Sequence, residues 1–458
     1  TRSGMNYSPW LVELGGTLEI AADLNPLDQE ARQRVCDALM APIPDEDDLP
    51  VATVHYKPCD ASSTSTPPYD DVAILKTGMK RKLRDKARFK ERRRASRLAE
   101  EKRAAVHDSV SRRIKIVSHK IARRVQAMPL SAVDISGAAV ARTGFIGRRQ
   151  PQNASDHRPL TKADAVRLGF QYIEWDGREG RPLLDNASRV FAVLAGSPKD
   201  VDGWAQVNHD AQQAFDAARS MYRLEPKQIS HRRGSFPAVA AGISFGGGQK
   251  HVNNLVHSVH NQGIIGQLLN HPAVQRIAGF GDAAFKLYAP RLHGYYAKTM
   301  QTLLEDNATL KPNFRNSVFG CATFNLGPQV ITSVHTDHLN LPAGWCAVTS
   351  IGDFDPKEGG HLLLWDLNLM IEFPPGSLIL IPSAILRHSN TVVRSYERRY
   401  SFTQYSAGGL FRWVECGCKS QKEFSAEGGV HSISGTERWL RGIDMWSTWD
   451  ELQAVWAE

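Results

Sequence analysis

From residue 318 to residue 405 the chain alternates short apolar or β-branched runs with turn signals, and the runs after residue 361 are joined by turns too short to hold a helix. Residues 318–324 and 345–350 are two such runs. Residues 361–365 follow Glu358-Gly359-Gly360, and Pro374-Pro375-Gly376-Ser377 turns the chain into residues 378–382. β-Branched and aromatic side chains favour extended backbone, and the Gly, Pro and Asn residues end each run. Strands this short and this regularly spaced predict an antiparallel sandwich or barrel.

That stretch carries an ordered set of polar residues. His335-Thr336-Asp337 comes first, His388 follows after intervening strands, and Arg399-Tyr400-Ser401 comes last. Two imidazoles and one carboxylate can occupy one face of a ferrous ion and leave three positions open, which suits a bidentate oxo acid plus dioxygen. Strand alternation puts Arg399, Ser401 and Thr403 on one face, where an arginine fork and a hydroxyl can grip a carboxylate. Arg398 points the other way, and a register change of one residue would exchange the two arginines, so both are candidates for holding the acid. Asn325, ending the first core strand, could reach the same acid or a base, or serve as a turn residue before Gly327-Pro328. His338 and His361 could contact the acid or be ordinary hydrogen-bonded residues. Cys416-Gly417-Cys418 has no second Cys or His pair at metal-site spacing and reads as two unpaired thiols.

Residues from about 315 to 410 resemble the double-stranded β-helix, or jelly roll, of the 2-oxoglutarate and iron(II)-dependent dioxygenases. The Gly359-Gly360-His361-Leu362 and Pro375-Gly376-Ser377 turns are most similar to the ten-eleven-translocation and base-J-binding-protein group as found in fungi. The resemblance implies that His335, Asp337 and His388 bind Fe(II) and are catalytic, and that Arg399 and Ser401 hold the far carboxylate of 2-oxoglutarate. It also implies oxidation of methyl groups on bases of duplex DNA. On 5-methylcytosine the product would be the hydroxymethyl base and higher oxidation states; on N6-methyladenine a carbinolamine would lose formaldehyde. A base inside a duplex cannot reach a buried metal, so the target nucleotide must be flipped out. The animal members' Cys-rich zinc region and long core insertion are not visible here, so zinc is not carried over. A compact core should leave an open mouth with few groups to read the base edge, which predicts activity on both methylated bases. The open alternatives are an oxygenase acting on RNA, a protein residue or a small molecule, and a catalytically silent DNA-binding protein.

Charge is concentrated in one segment. Residues 80–124 hold 19 Lys plus Arg against 5 Asp plus Glu, a net +14, so the formal +8 of the chain leaves −6 elsewhere. The first half is rich in helix formers and lacks Gly and Pro. In the second half Val106, Val110, Ile114, Val117, Ile121, Val125 and Met128 recur at helical spacing, predicting an amphipathic helix that ends before Pro129. Lys86, Lys90, Arg93 and Arg97 are the candidates for contacts along a phosphate backbone, which position a duplex without reading its sequence. Lys80-Arg81-Lys82 also fits a nuclear-import signal.

The 458 residues predict two to three domains. The expected division is an N-terminal segment with a linker over 1–75, a basic and amphipathic DNA-binding helix over 76–128, a mixed α/β support over 129–240, the dioxygenase core over 241–415, and a C-terminal extension over 416–458. The predicted class is therefore α+β, a jelly-roll core buttressed by helices with a long basic N-terminal helix. Helices are expected over 205–222, 264–277 and 283–304, a strand over 170–175, and a Gly-rich loop over 242–254. No run of about 18 apolar residues exists, so a membrane-spanning helix is not expected. The first residues show no secretory stretch, and six scattered cysteines fit a reducing compartment, so a nuclear monomer is expected.

Overall fold

The computed structural model describes residues 119–149, 158–246 and 248–457. Lys86, Lys90, Arg93, Arg97 and most of the basic segment lie outside them. The helix expected to continue to Met128 ends at Ala122, and Met128–Pro129 form a strand instead, β1.

The other strands are β2 (Gln171–Ile173), β3 (Arg181–Leu184), β4 (Val190–Gly196), β5 (Ser230–His231), β6 (Gly234–Ser235), β7 (Ala238–Ser244), β8 (Asn253–Asn254), β9 (Cys321–Asn325), β10 (Cys346–Asp353), β11 (Leu362–Leu364), β12 (Leu369–Ile371), β13 (Leu378–Ile381), β14 (His388–Asn390) and β15 (Arg398–Tyr405). Nine of them form one sheet in the order β1-β3-β4-β13-β10-β15-β9-β7-β8, and β14-β11-β12-β2 form a second. Among the described strands the β1–β3 and β2–β12 pairs are parallel and the rest antiparallel. The expected boundary at residue 240 falls inside β7, and β1, β3 and β4 belong to the large sheet, so support region and core share one layer. Gly242 to Ser244, expected in a loop, are strand because Gly242 pairs with Cys321 of β9, and Ile243 and Ser244 pair with β8.

Helices are α1 (Lys162–Arg167), α2 (Val201–Met221), α3 (Pro226–Ile229), α4 (Val259–Asn270), α5 (Pro272–Tyr288), α6 (Pro290–Asp306), α7 (Gly408–Glu415), α8 (Gln421–Ala426), α9 (Gly435–Ile443) and α10 (Trp449–Ala457). Where two helices were expected between 264 and 304 there are three, because Pro272 and Pro290 each start a new one. Proline fits the first helical turn, where its missing N–H costs nothing, and it breaks a helix anywhere further in.

The main core lies between the large sheet and α2, α4 and α5. Phe324, Ile351, Tyr400 and Phe402 project from the sheet against Phe215, Ile264 and Ile277. Phe215 meets Phe324 and Tyr400 edge-on, at 5.5 and 6.3 Å between centroids. Losing one such buried ring costs about 3–5 kcal/mol. Because side chains alternate along β15, packing Tyr400 and Phe402 against the helices commits Arg399, Ser401 and Thr403 to the opposite face. Two-way backbone bonding then ties the loop bearing His335 to the second sheet: His335 N donates to His388 O at 3.1 Å, and His388 N to His335 O at 2.9 Å.

Candidate metal centre

His335, Asp337 and His388 converge although they come from a loop and from the edge strand β14. Their ligand atoms all lie within 4.8 Å of one another, and among the described residues no other group of His, Cys, Asp and Glu gathers this way. His335 Nε2 is 3.8 Å from Asp337 Oδ1, and His388 Nε2 is 3.9 Å from Asp337 Oδ2. The ring centroids are 4.2 Å apart. Each imidazole is oriented by a backbone carbonyl: His335 Nδ1 lies 2.7 Å from Ser333 O, and His388 Nδ1 lies 2.9 Å from Leu386 O. A proton on each Nδ1 leaves both Nε2 lone pairs directed into one space, the way metal-binding histidines are set.

Electrostatics keep the set in ligand form. Burial alone would raise the Asp337 pKa, but His335, His388, Arg233 and Arg232 outweigh it and hold the carboxyl well below its ordinary range. Burial and the neighbouring His388 press the His335 pKa down, so its ring stays neutral. A carboxylate with two imidazoles fits ferrous iron held on one face. Asp337 itself is fixed by its N–H, which donates to Ser383 O at 2.8 Å.

Arg399, Ser401 and Asn325 occupy the inner face of the large sheet. Arg399 is 4% exposed and has no carboxylate partner among the described residues; its Nη1 donates to Val330 O at 3.1 Å and its Nε has no partner. The rings of Phe354 and Phe373 lie 5.9 and 6.0 Å from the guanidinium. Burial pushes the Arg399 pKa down to about 10, which still leaves it charged at neutral pH. A buried cation without a counter-charge is costly unless a ligand supplies one. The far carboxylate of an oxo acid has the required charge and shape. Ser401 Oγ accepts from Asn325 Nδ2 at 2.8 Å. Arg398, also a candidate for the acid, is on the outer face, where its Nη1 donates to Asp216 Oδ2 at 2.9 Å. His361 is fully buried, with Nδ1 2.9 Å from Thr391 Oγ1 and its ring edge-on to Tyr172 on the second sheet.

Sequence reasoning passed over the residues at the rim. Arg232 and Arg233 form the two-residue turn between β5 and β6. Arg232 Nη1 donates to Thr336 O at 2.8 Å and its Nη2 lies 3.6 Å from Asp337 Oδ1, while Ser333 N donates to Arg233 O at 2.7 Å. Gly147 N donates to His338 O at 2.7 Å, which brings the exposed Arg148 and Arg149 to the same loop. The positive charges of Arg232 and Arg149 add to burial in holding the His338 pKa down to about 4. The one available signal was the Arg232-Arg233-Gly234 turn, and nothing local tied it to a site about 100 residues away.

No protein-family model matches the chain, and no curated protein matches it. Among solved structures, NgTET1 in complex with 5mC DNA is similar at 14% identity and a TM-score of 0.34, over 53% of this chain and 83% of that one. An oxidoreductase of the 2OG-Fe(II) oxygenase family from Burkholderia pseudomallei is similar at 18% identity and a TM-score of 0.26, over 42% and 77%.

Proposed function

We propose that this chain is a 2-oxoglutarate and iron(II)-dependent dioxygenase that oxidises methyl groups on bases of duplex DNA, working in the nucleus as a monomer, with a double-stranded β-helix core. One observation carries the oxygenase part: a His335–Asp337–His388 set directed at a single point, with a buried Arg399 that has no carboxylate partner among the described residues on the inner face of the adjoining sheet. Iron bound there, with 2-oxoglutarate and dioxygen, would supply oxidising power sufficient to remove hydrogen from a methyl group. The chain's own residues do the rest. His335 and His388 offer Nε2, Asp337 offers its carboxylate, Arg399 and Ser401 orient the acid, and Phe354 and Phe373 keep water from the guanidinium.

DNA is favoured as the substrate by charge. Arg148, Arg149, Arg232 and Arg233 rim the centre, and the net +14 of residues 80–124 adds a second basic element. Phosphate contacts of this kind fix a duplex in place while the pocket selects the base. Both 5-methylcytosine and N6-methyladenine are expected to react.

The deciding experiment follows succinate release and product mass in parallel on methylated duplex DNA, methylated RNA and a basic peptide. Stimulation by methylated duplex alone, with hydroxymethylcytosine or demethylated adenine as product, is the expected result. Stimulation by RNA or peptide instead would move the chemistry to another substrate, and absence of any iron-dependent succinate would leave a silent DNA-binding protein. A rate ratio between the two methylated bases above about 10⁴, the selectivity reached by polar edge recognition, would exclude the dual-base expectation.

A further inference from the structure

On the inner face of the large sheet three polar residues stand directly opposite one another across three neighbouring strands. Ser350 of β10 pairs with Ser401 of β15, and Ser401 pairs with Asn325 of β9. Opposed residues on antiparallel strands share a face, with their Cβ atoms about 5 Å apart. Arg399, two positions before Ser401, lies on that face too.

Three of the four residues each carry a buried polar side-chain atom without a partner. Ser350 is 0% exposed and its Oγ makes no hydrogen bond; Asn325 Oδ1 and Arg399 Nε, in residues 4% exposed, make none either. Buried polar atoms are nearly always paired, so several orphans on adjacent strands mark a place built for something else. The orphans also have a sense. Ser350 can donate and Arg399 can donate. Because Asn325 Nδ2 donates to Ser401 Oγ at 2.8 Å, it fills an acceptor position on Ser401 and leaves that hydroxyl's proton free. Three donors facing one space fit a carboxylate.

We infer that Ser350 is a further contact for the far carboxylate of the oxo acid, beside Arg399 and Ser401, and that Asn325 is a positioning residue that holds Ser401 as a donor. The inference rests on the oxygenase reading above.

The test uses the full chain with Mn(II) in place of iron and no DNA, so that binding is read without turnover. Titration calorimetry compares 2-oxoglutarate with 2-oxopentanoate, which has the same carbon chain but no far carboxylate. Ser350→Ala is expected to weaken 2-oxoglutarate by about tenfold, the effect of one hydrogen bond to a charged group. Its affinity for 2-oxopentanoate should be unchanged. The melting temperature of the ligand-free variant should hold or rise, because a buried hydroxyl without a partner has been removed. Asn325→Ala should weaken 2-oxoglutarate less than Ser401→Ala does. A Ser350→Ala variant that binds 2-oxoglutarate normally, loses both acids equally, or melts lower than the parent would overturn the inference alone. Failure of the unsubstituted protein to bind 2-oxoglutarate would overturn the oxygenase reading and this inference with it.

Discussion

Arg398 and Arg399 differ by one position in sequence and by almost everything around them. Arg398 has a half-exposed side chain paired with Asp216, whereas Arg399 is buried without a carboxylate among the described residues. Arg399→Ala should therefore raise the 2-oxoglutarate requirement ten- to hundredfold, given about 1.5–3 kcal/mol for a hydrogen bond to a charged group. Arg398→Ala removes only a surface ion pair of at most about 1 kcal/mol and should leave that requirement alone. The opposite ranking in a succinate-release titration would refute the assignment. His361 makes a different case. Burial, with Lys162 adding to it, holds its pKa down to about 4, whereas an unfolded imidazole titrates near 6.5. Between those values the unfolded chain binds the extra proton, so His361 contributes stability above pH 6.5 that is lost as pH falls toward 4. His361→Asn should flatten the fall in melting temperature over that window, and an unchanged slope would remove His361 from the account.

At the scale of elements, the turn before β11 sets the space around Arg399. Gly360 has φ +71°, and a Cβ there would come within 2.6 Å of Phe354 Cε2 and 3.2 Å of Arg399 Cδ and Nε. Gly360→Ala should destabilise the fold by about 1–3 kcal/mol for the left-handed backbone and also raise the 2-oxoglutarate requirement by displacing the guanidinium. Gly169→Ala is the control: φ is +85°, but nothing lies within 4 Å of the added methyl group. It should cost stability and leave acid binding intact. Equal acid affinities in the two variants, measured by calorimetry, would show that the turn does not position Arg399. The same scale explains the helix layer. Pro272 and Pro290 divide one apolar stretch into α4, α5 and α6, whereas apolar periodicity alone had carried the expected helices 264–277 and 283–304 through both prolines.

For the whole molecule the dominant property is charge asymmetry, +14 over residues 80–124 against −6 for everything else. Neutralising Lys86, Lys90, Arg93 and Arg97 together should weaken binding to methylated and unmethylated duplexes alike and flatten the logarithmic salt dependence by roughly 0.9 per lost phosphate contact. Turnover at saturating DNA should persist, since the arginines at the rim remain. A salt slope identical to the parent's would reduce the segment to an import signal or a solvated face. Among the described residues no helix is long and apolar enough to cross a membrane.

How much was legible in the sequence follows from the range of the forces involved. Strand positions between Cys321 and Tyr405 were largely readable because alternation and turn residues act over a few neighbours: β9, β10, β11, β13 and β15 fall within three residues of where those signals put them, whereas the short β12 and β14 were not assigned. β4 was missed because Val190–Gly196 is buried on both faces and shows no alternation. The order of His335, Asp337, His388, Arg399 and Ser401 was visible in the chain, as was the choice between two arginines. Which of the two faces inward was decided only when Tyr400 and Phe402 met Phe215 and the helices. Ser350, Arg232 and Arg149 carry no local signal of a site. Sequence alone determined which residue types were available and how each short segment would run; tertiary structure decided which of them became neighbours, because burial, register and the pairing of buried charge are properties of the assembled sheets.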